Sequence, residues 1–300
     1  MLSKEIFENY LKAGKIAAET RNEIHSVIKA GVPLLQICEK VENTIKQKGG
    51  KLAFPCNICV NEVAAHYSSP PGDTKIIPNN SIVKIDLGVH VDGYIADTAF
   101  TVSLNPEFDS MVFAVNESLK QAINTIRPGI KTDKIGQVVQ EAIEKYGFKP
   151  IWNLTGHQLG RYILHTGKSI PSVPKFGFAK INVDEVFAIE PFLTLSSGAG
   201  EVRSAEASYI FRLQKEKDVH GLYAKKTIEL IKSRCQSLPF SRRWLSGVLS
   251  EKEMDEAFRE LLATRCVMAY PVLVEGSGKI VAQAEHTIIV TTDGCQITTL

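Results

Sequence analysis

Apolar residues recur at helical spacing through two early stretches of the chain. In residues 4–29 they fall at Ile6, Tyr10, Ala13 and Ala17, and in 33–48 at Leu34, Ile37, Cys38, Val41 and Ile45. A three-to-four residue period predicts amphipathic helices. Pro33 suits a first helical turn and Gly49-Gly50 a helix stop. The period then shortens. From Lys84 to Phe100, "KIDLGVHVDGYIADTAF", Ile85, Leu87, Val89 and Val91 alternate, Asp92-Gly93 turns, and Tyr94, Ile95, Ala96 and Phe100 follow. Alternation around Asp-Gly predicts a β-hairpin. Helical patterns return at about 107–126, ending before Arg127-Pro128-Gly129, and at 132–146, ending at Gly147. "NSIVKID" (80–86) has a faint echo in "DEVFAIE" (184–190), each a polar start, an apolar run and a closing carboxylate. The echo fits two similar halves, each with two helices and strands. Residues 207–270 differ in character. They hold two helical patterns, "VHGLYAKKTIELIKSRCQSL" and "SEKEMDEAFRELLATRC", the second with Ser250 and Glu253 placed as a capping box. They read as a helical insertion within a single α+β domain.

The hairpin carries an aspartate on each arm, where an apolar residue would pack better. With Asp92-Gly93 as a two-residue loop, position 91 faces 94 and 86 faces 99. Asp97 lies two residues from 99, so it shares a face with Asp86. The pair become diagonal neighbours, with Cα atoms roughly 7–8 Å apart. Two anions on one half-buried face need a cation.

Composition narrows the setting. The chain has 300 residues, is 44% hydrophobic and carries a formal charge of +2. It is long enough for a large core, and its charge points to no nucleic-acid or acidic partner. The first twenty residues lack the apolar stretch of a signal peptide, and no run long enough to span a membrane occurs. The six cysteines are sparse for a disulfide scaffold, which fits a cytoplasmic setting. Cys56-Asn-Ile-Cys59 has no second pair at zinc-site spacing and reads as ordinary buried cysteine.

Companions for the aspartates lie downstream. His157 follows Gly156 in "NLTGHQLG", Glu190 closes the apolar run of "VFAIEPF", and Glu285 stands in "VAQAEHTIIV". Four carboxylates and an imidazole suit Mn, Fe(II) or Co in a two-metal site, with Zn also able to bind. Such a pair, about 3.5–4 Å apart, shares an activated water. Taken singly, each acid is more often a hydrogen-bonded structural group, and spacing alone does not bring the five together.

The blocks "AFPCNICVNEVAAHYSSPPGD", "IVKIDLGVHVDGYIADTAFTV", "GHQLGRYILHTGKSIP", "FAIEPF", "AYPVLVE" and "AQAEHTIIV" resemble the type 2 methionine aminopeptidases in their short archaeal-like form. That is a pita-bread fold of peptidase family M24, and the resemblance covers nearly the whole chain. The Asp, Asp, His, Glu, Glu order is shared with prolidases and aminopeptidase P. The blocks around His66 and His165 narrow it, and the long insertion before Glu285 indicates type 2.

The resemblance implies an α+β pita-bread fold with a pseudo-two-fold core. Residues 1–300 would form a single catalytic domain and 207–270 its helical insertion. It implies two divalent metal ions: Asp86 on one, Asp97 and Glu285 bridging, His157 and Glu190 on the other. Glu190 would also move a proton. His66 and His165 would contact the scissile peptide. Phe54, Leu164, Phe192 and Tyr270 would wall a methionine pocket. The implied activity is removal of N-terminal methionine from nascent polypeptides whose second residue is small. A cytoplasmic monomer is expected, without membrane or specific nucleic-acid partners. The Lys-rich or acidic N-terminal extension of eukaryotic type 2 relatives is not seen ahead of the catalytic blocks, which leaves transient ribosome contact open. Arg234, Arg242, Arg243 and Trp244 could touch RNA, but the small net charge favours a solvated helix face. His25, His90, His220 and His286 read as structural, although His286 adjoins a candidate ligand. A proline-directed peptidase of the same fold and a metal-free binding protein are the competing readings.

Overall fold

A computed structural model describes residues 2–174, 179–217 and 219–300. Ser3 opens helix α1 (Lys4–His25), its side chain accepting from the Ile6 N–H. The apolar rhythm runs on to Ile28, yet the helix stops at His25. Ile28 is buried from the connection instead, and the chain reverses at Gly31, φ 83°, to bring Pro33 beside Ile76. Pro33 caps helix α2 (Leu34–Gln47) in an extended conformation, and Gly49 (φ 82°) follows its end. Strands β1 (Lys51–Val60) and β2 (Val63–Ala65) follow. The predicted hairpin is β3 (Ile82–Val91) and β4 (Tyr94–Ser103). Asp92 at φ 50° and Gly93 at φ 88° give the turn that matches strand twist.

The pattern then repeats. Helices α3 (Asp109–Thr125) and α4 (Thr132–Lys145) are followed by β5 (Phe148–Pro150), β6 (Thr155–Gly160), β7 (Ile163–Pro171), β8 (Val186–Ile189) and β9 (Phe192–Leu195). In the first half α1 and α2 pack on a β1-β3-β4 sheet, burying Ala13, Ala17 and Val41 against Ile58, Ile85 and Leu87. In the second, α3 and α4 bury Leu119, Ile123 and Val139 against Phe187, Ile189 and Ile288. Strands β3 and β8, which carry the echoed heptapeptides, are both central in their sheets. Asp86 lies within β3, and Glu190 directly follows β8.

The stretch 207–270 is helical only in its middle. Its ends lie in β10 (Val202–Leu213) and β11 (Val267–Glu275), which pair with each other. Between them stand α5 (Leu222–Cys235) and α6 (Glu251–Ala263), the latter with both halves of the Ser250/Glu253 capping box. These helices bury Ile228, Ile231, Phe258 and Leu261 around Phe211 and Phe240. Of the arginines expected on a solvated face, Arg234 is exposed, but Arg243 departs from that expectation. Arg243 is buried, and its guanidinium forks onto Glu42 of α2 at 2.8 and 2.9 Å. The Trp244 indole donates to the same carboxylate at 2.9 Å, Arg242 pairs with Asp255, and Arg234 donates to the Trp244 carbonyl. A nearly balanced net charge concealed this, because the partner Glu42 lies about two hundred residues away in sequence.

The chain closes with β12 (Val281–Gln283), β13 (His286–Val290) and β14 (Cys295–Ile297). Strand β13 joins a five-stranded sheet in the order β14-β13-β8-β6-β7. Cys56 and Cys59 are buried free thiols, as their sequence context suggests.

Candidate metal centre

The hairpin register is the one the turn dictates: Val91 faces Tyr94 and Asp86 faces Ala99. Asp86 and Asp97 therefore share a face. Gly88 stands opposite Asp97, and the ring of Phe54 on β1 occupies the space its side chain would need. A Cβ there would lie 2.2 Å from that ring, so glycine lets an apolar wall approach the carboxylates.

The second half supplies the other groups. His157 on β6 pairs with Ala188 of β8, and Glu190 directly follows β8. Glu285 sits just before β13 and bridges to Ala99 of β4. Hydroxyls reinforce this single bridge. Thr287 Oγ1 accepts from the Asp97 N–H at 2.7 Å and donates to the Asp97 carbonyl at 2.8 Å. Thr98 donates to the Glu285 carbonyl at 2.8 Å and Thr101 to that of Gln283 at 2.6 Å. Threonines thus fasten the strand bearing Asp97 to the segment bearing Glu285.

The five side chains line one cavity of about 210 Å³. Ligand atoms of Asp97, His157 and Glu285 lie within 4.8 Å of one another. His157 Nε2 is 3.6 Å from Asp97 Oδ2 and 3.5 Å from Glu190 Oε1. Burial pushes the Asp86 carboxyl up to about 7. Burial, then the charge of Asp86, raises Asp97, and the same two causes raise Glu190. Burial and then Asp97 raise Glu285. Burial, followed by neighbouring His165, holds His157 far below the usual imidazole range. The basic group within ion-pair distance of Asp97 and Glu190 is thus a neutral ring.

Buried polar atoms ordinarily find a partner. Here Asp86 Oδ1, Asp97 Oδ1, Glu285 Oε2 and His157 Nδ1 have none among the described residues. Several carboxylate oxygens and a neutral imidazole, with no Lys or Arg among the described residues lining the cavity, are the donor set of a hard or borderline divalent ion. The residues fit a metal centre.

His66 and His165 line the same cavity. The His165 ring centroid is 4.1 Å from that of His157, and burial, then His66, pushes its pKa down to about 4. His66 follows β2 at φ 66°, with Nδ1 3.2 Å from the Pro271 carbonyl. A carbonyl only accepts, so Nδ1 carries the proton and Nε2 is left as an acceptor. Burial lowers the pKa of this ring too, which keeps it neutral. Phe54, Leu164, Phe192 and Tyr270 all line the cavity, so every sequence-predicted site residue borders it. Asn57, Thr155, Ile210 and Pro239 line it as well, unforeseen. Thr155 stands two residues from His157, on the same strand face by period two. Pro239 arrives from between α5 and α6, and no local signal marks it. His286, beside Glu285, is turned to Arg21 and Thr299, with Nδ1 2.8 Å from the Thr299 hydroxyl.

Comparison with known proteins agrees with this geometry. The family model described as metallopeptidase family M24 matches residues 8–292. A methionine aminopeptidase of Methanothermobacter thermautotrophicus is 43% identical over 298 residues, covering 98% of this chain and 99% of that protein. Among solved structures, a thermophilic Arx1 superposes with a TM-score of 0.86 at 16% identity, covering 99% of this chain and 91% of that one. The methionine aminopeptidase of Rickettsia prowazekii superposes with a TM-score of 0.72 at 22% identity, covering 100% and 99%. These structural likenesses speak for the pita-bread fold, while the sequence relationship runs the length of the chain. On that basis the chain belongs to metallopeptidase family M24, among its methionine aminopeptidases.

Proposed function

We propose that the protein is a type 2 methionine aminopeptidase that removes the N-terminal methionine from polypeptides whose second residue is small. In this reading residues 1–300 act as one catalytic domain and 207–270 are the type 2 insertion. The observation that carries it is the meeting of five metal-ligand candidates, two neutral histidines and an apolar wall on one small cavity. Its volume, about 210 Å³, is below the range of about 300–1,000 Å³ typical of drug-sized sites. A cavity of that size, walled by Phe54, Leu164, Phe192 and Tyr270, suits a small apolar side chain such as methionine.

Asp86, Asp97, His157, Glu190 and Glu285 would hold two divalent ions. When bound, such a pair lowers the pKa of a shared water, giving a nucleophile at neutral pH. Glu190, partly exposed on the cavity, can take a proton and return it to the departing amine. His165 is neutral at pH 7 and can offer a ring N–H to the carbonyl oxygen as charge develops there. His66 Nε2 can accept a hydrogen bond from the scissile amide. Phe54, Leu164, Phe192 and Tyr270 would exclude water and grip the methionine side chain. Polypeptide N-termini are the partners this chemistry needs. We further propose a cytoplasmic monomer that touches the ribosome only transiently. No helix of the described residues is long and apolar enough to cross a membrane.

The test is methionine release from a Met-Ala-Ser peptide by chelator-stripped protein, with Mn, Co, Fe(II) or Zn added singly. His157→Ala serves as control and an X-Pro dipeptide as competitor. Metal-dependent release that the variant lacks is expected. Cleavage of X-Pro instead would replace the assignment with a proline-directed peptidase, and no cleavage by folded protein would leave a binding protein.

A further inference from the structure

His66 holds an unusual backbone. Its φ of 66° is in the left-handed region, which few residues with a Cβ adopt and which costs backbone strain. The restraint comes from β1. Asn57 is buried, and its Oδ1 accepts the His66 N–H at 2.8 Å while its Nδ2 donates to the Pro55 carbonyl at 2.9 Å. Next in the chain, the Ile58 N–H donates to the Tyr67 carbonyl at 2.7 Å. Residues 57 and 58 thus grip residues 66 and 67. On the far side, the ring of His66 is tied through Nδ1 to Pro271 and stands edge-to-face with Tyr270 at 5.7 Å.

We propose that Asn57 is a positioning residue: its side-chain amide locks His66 in the left-handed conformation that presents Nε2 to the cavity as an acceptor. The link is direct, because the Asn57 bond goes to the backbone N–H of the residue whose φ is strained. Without it, that N–H is buried and unpaired. The backbone then relaxes toward negative φ, and the ring swings away from Pro271. Both tautomers become available, and the Nε2–H tautomer places a proton where the substrate N–H must donate. Asn57 also spans to Pro55, next to the wall residue Phe54. One amide therefore sets His66 in register with the pocket wall. The proposal rests on His66 meeting the scissile peptide, as in the function proposed above.

The test compares Asn57→Ala, His66→Ala and the double variant, each loaded with metal, on Met-Ala-Ser. Asn57→Ala is expected to lower kcat/KM roughly 10- to 100-fold, the scale of a misplaced catalytic group. Metal affinity, measured by titration, is expected to stay at the wild-type value. The double variant is expected to be no slower than His66→Ala, because a residue acting through His66 has nothing left to position. In ¹⁵N-histidine spectra the His66 ring is expected to change from an Nδ1–H pattern to a mixture of tautomers. Asn57→Ser, too short to span both partners, should show the same trends if the alanine variant does not fold. Additive losses in the double variant, an unchanged His66 spectrum, or weakened metal binding would each overturn the proposal. If wild-type protein releases no methionine with any metal, it is the function that fails, and the spectrum still reads the Asn57–His66 link.

Discussion

A carboxyl group buried beside other carboxyls keeps its proton where an exposed one has lost it. Asp86 shows this in the metal-free chain, with a pKa pushed up to about 7 by burial. Unfolded, it would titrate near about 4. Between those values the folded, metal-free chain binds more protons than the unfolded one. The contribution of this group to stability therefore falls as pH rises from about 4 to about 7. His90 and His286 act in the opposite sense. Burial holds both at about 4, so they lose stability as pH drops below the usual imidazole value. Neither lines the cavity, so metal alters the surroundings of the carboxylates more directly than theirs. The difference between loaded and stripped protein then isolates the carboxylates. The rise in Tm on adding metal should grow between about pH 5 and about pH 7, and loading near about pH 6 should release protons. Scanning calorimetry, and titration in buffers of different ionisation enthalpy, measure the two. A Tm increment that ignores pH would contradict the raised carboxyls.

At the scale of elements, the site depends on strands that barely share a ladder. Glu285 meets β4 through a single bridge, so hydroxyls carry much of the connection. Thr287→Val keeps the shape of the side chain and removes its polar atom. It leaves the Asp97 N–H and carbonyl without that partner in a buried setting, at a cost of about 1–3 kcal/mol. Because the segments bearing Asp97 and Glu285 would lose one of their fastenings, metal affinity should fall along with stability. Urea unfolding and metal titration read the two separately. Affinity equal to wild type would mean the threonine holds the fold but not the site.

For the molecule as a whole, the segment between β10 and β11 both completes the cavity and is tied down far from it. Pro239 lines the cavity, and Leu238 packs with Phe54 and Leu164. A few residues on, Arg243 and Trp244 converge on Glu42 of α2. Removing one member of a buried pair strands the other, which typically costs about 3–5 kcal/mol. Arg243→Met should be destabilising on that scale, and the Glu42→Met/Arg243→Met double variant markedly less so. A double variant as unstable as the sum of both singles would show that packing, not charge pairing, holds the segment. Chemical denaturation of the four proteins decides between them.

Local chemistry settled a good deal in advance. The Asp92-Gly93 turn fixes which residues face each other, so the shared face of Asp86 and Asp97 followed from strand geometry. Caps at Ser250 and Glu253 and the stop at Gly147 depend on neighbours three or four residues away, and they were readable for that reason. The end of α1 was not, because Ile28 keeps the helical rhythm while being buried from the irregular connection. The five ligand candidates were readable as residue types and, through family resemblance, as a set. Their meeting in one cavity was decided by sheet order and by threonine bonds spanning some 190 positions. Asn57 and Pro239 were missed because β1 is bulged beside the first and the second comes from a remote segment, so neither obeys a local period. The sequence by itself determined the turns, caps and hairpin register, since those energies act over a few residues. Only the tertiary structure decided which distant carboxylates share a cavity and which arginine is buried, since burial and pairing depend on residues that only folding brings together.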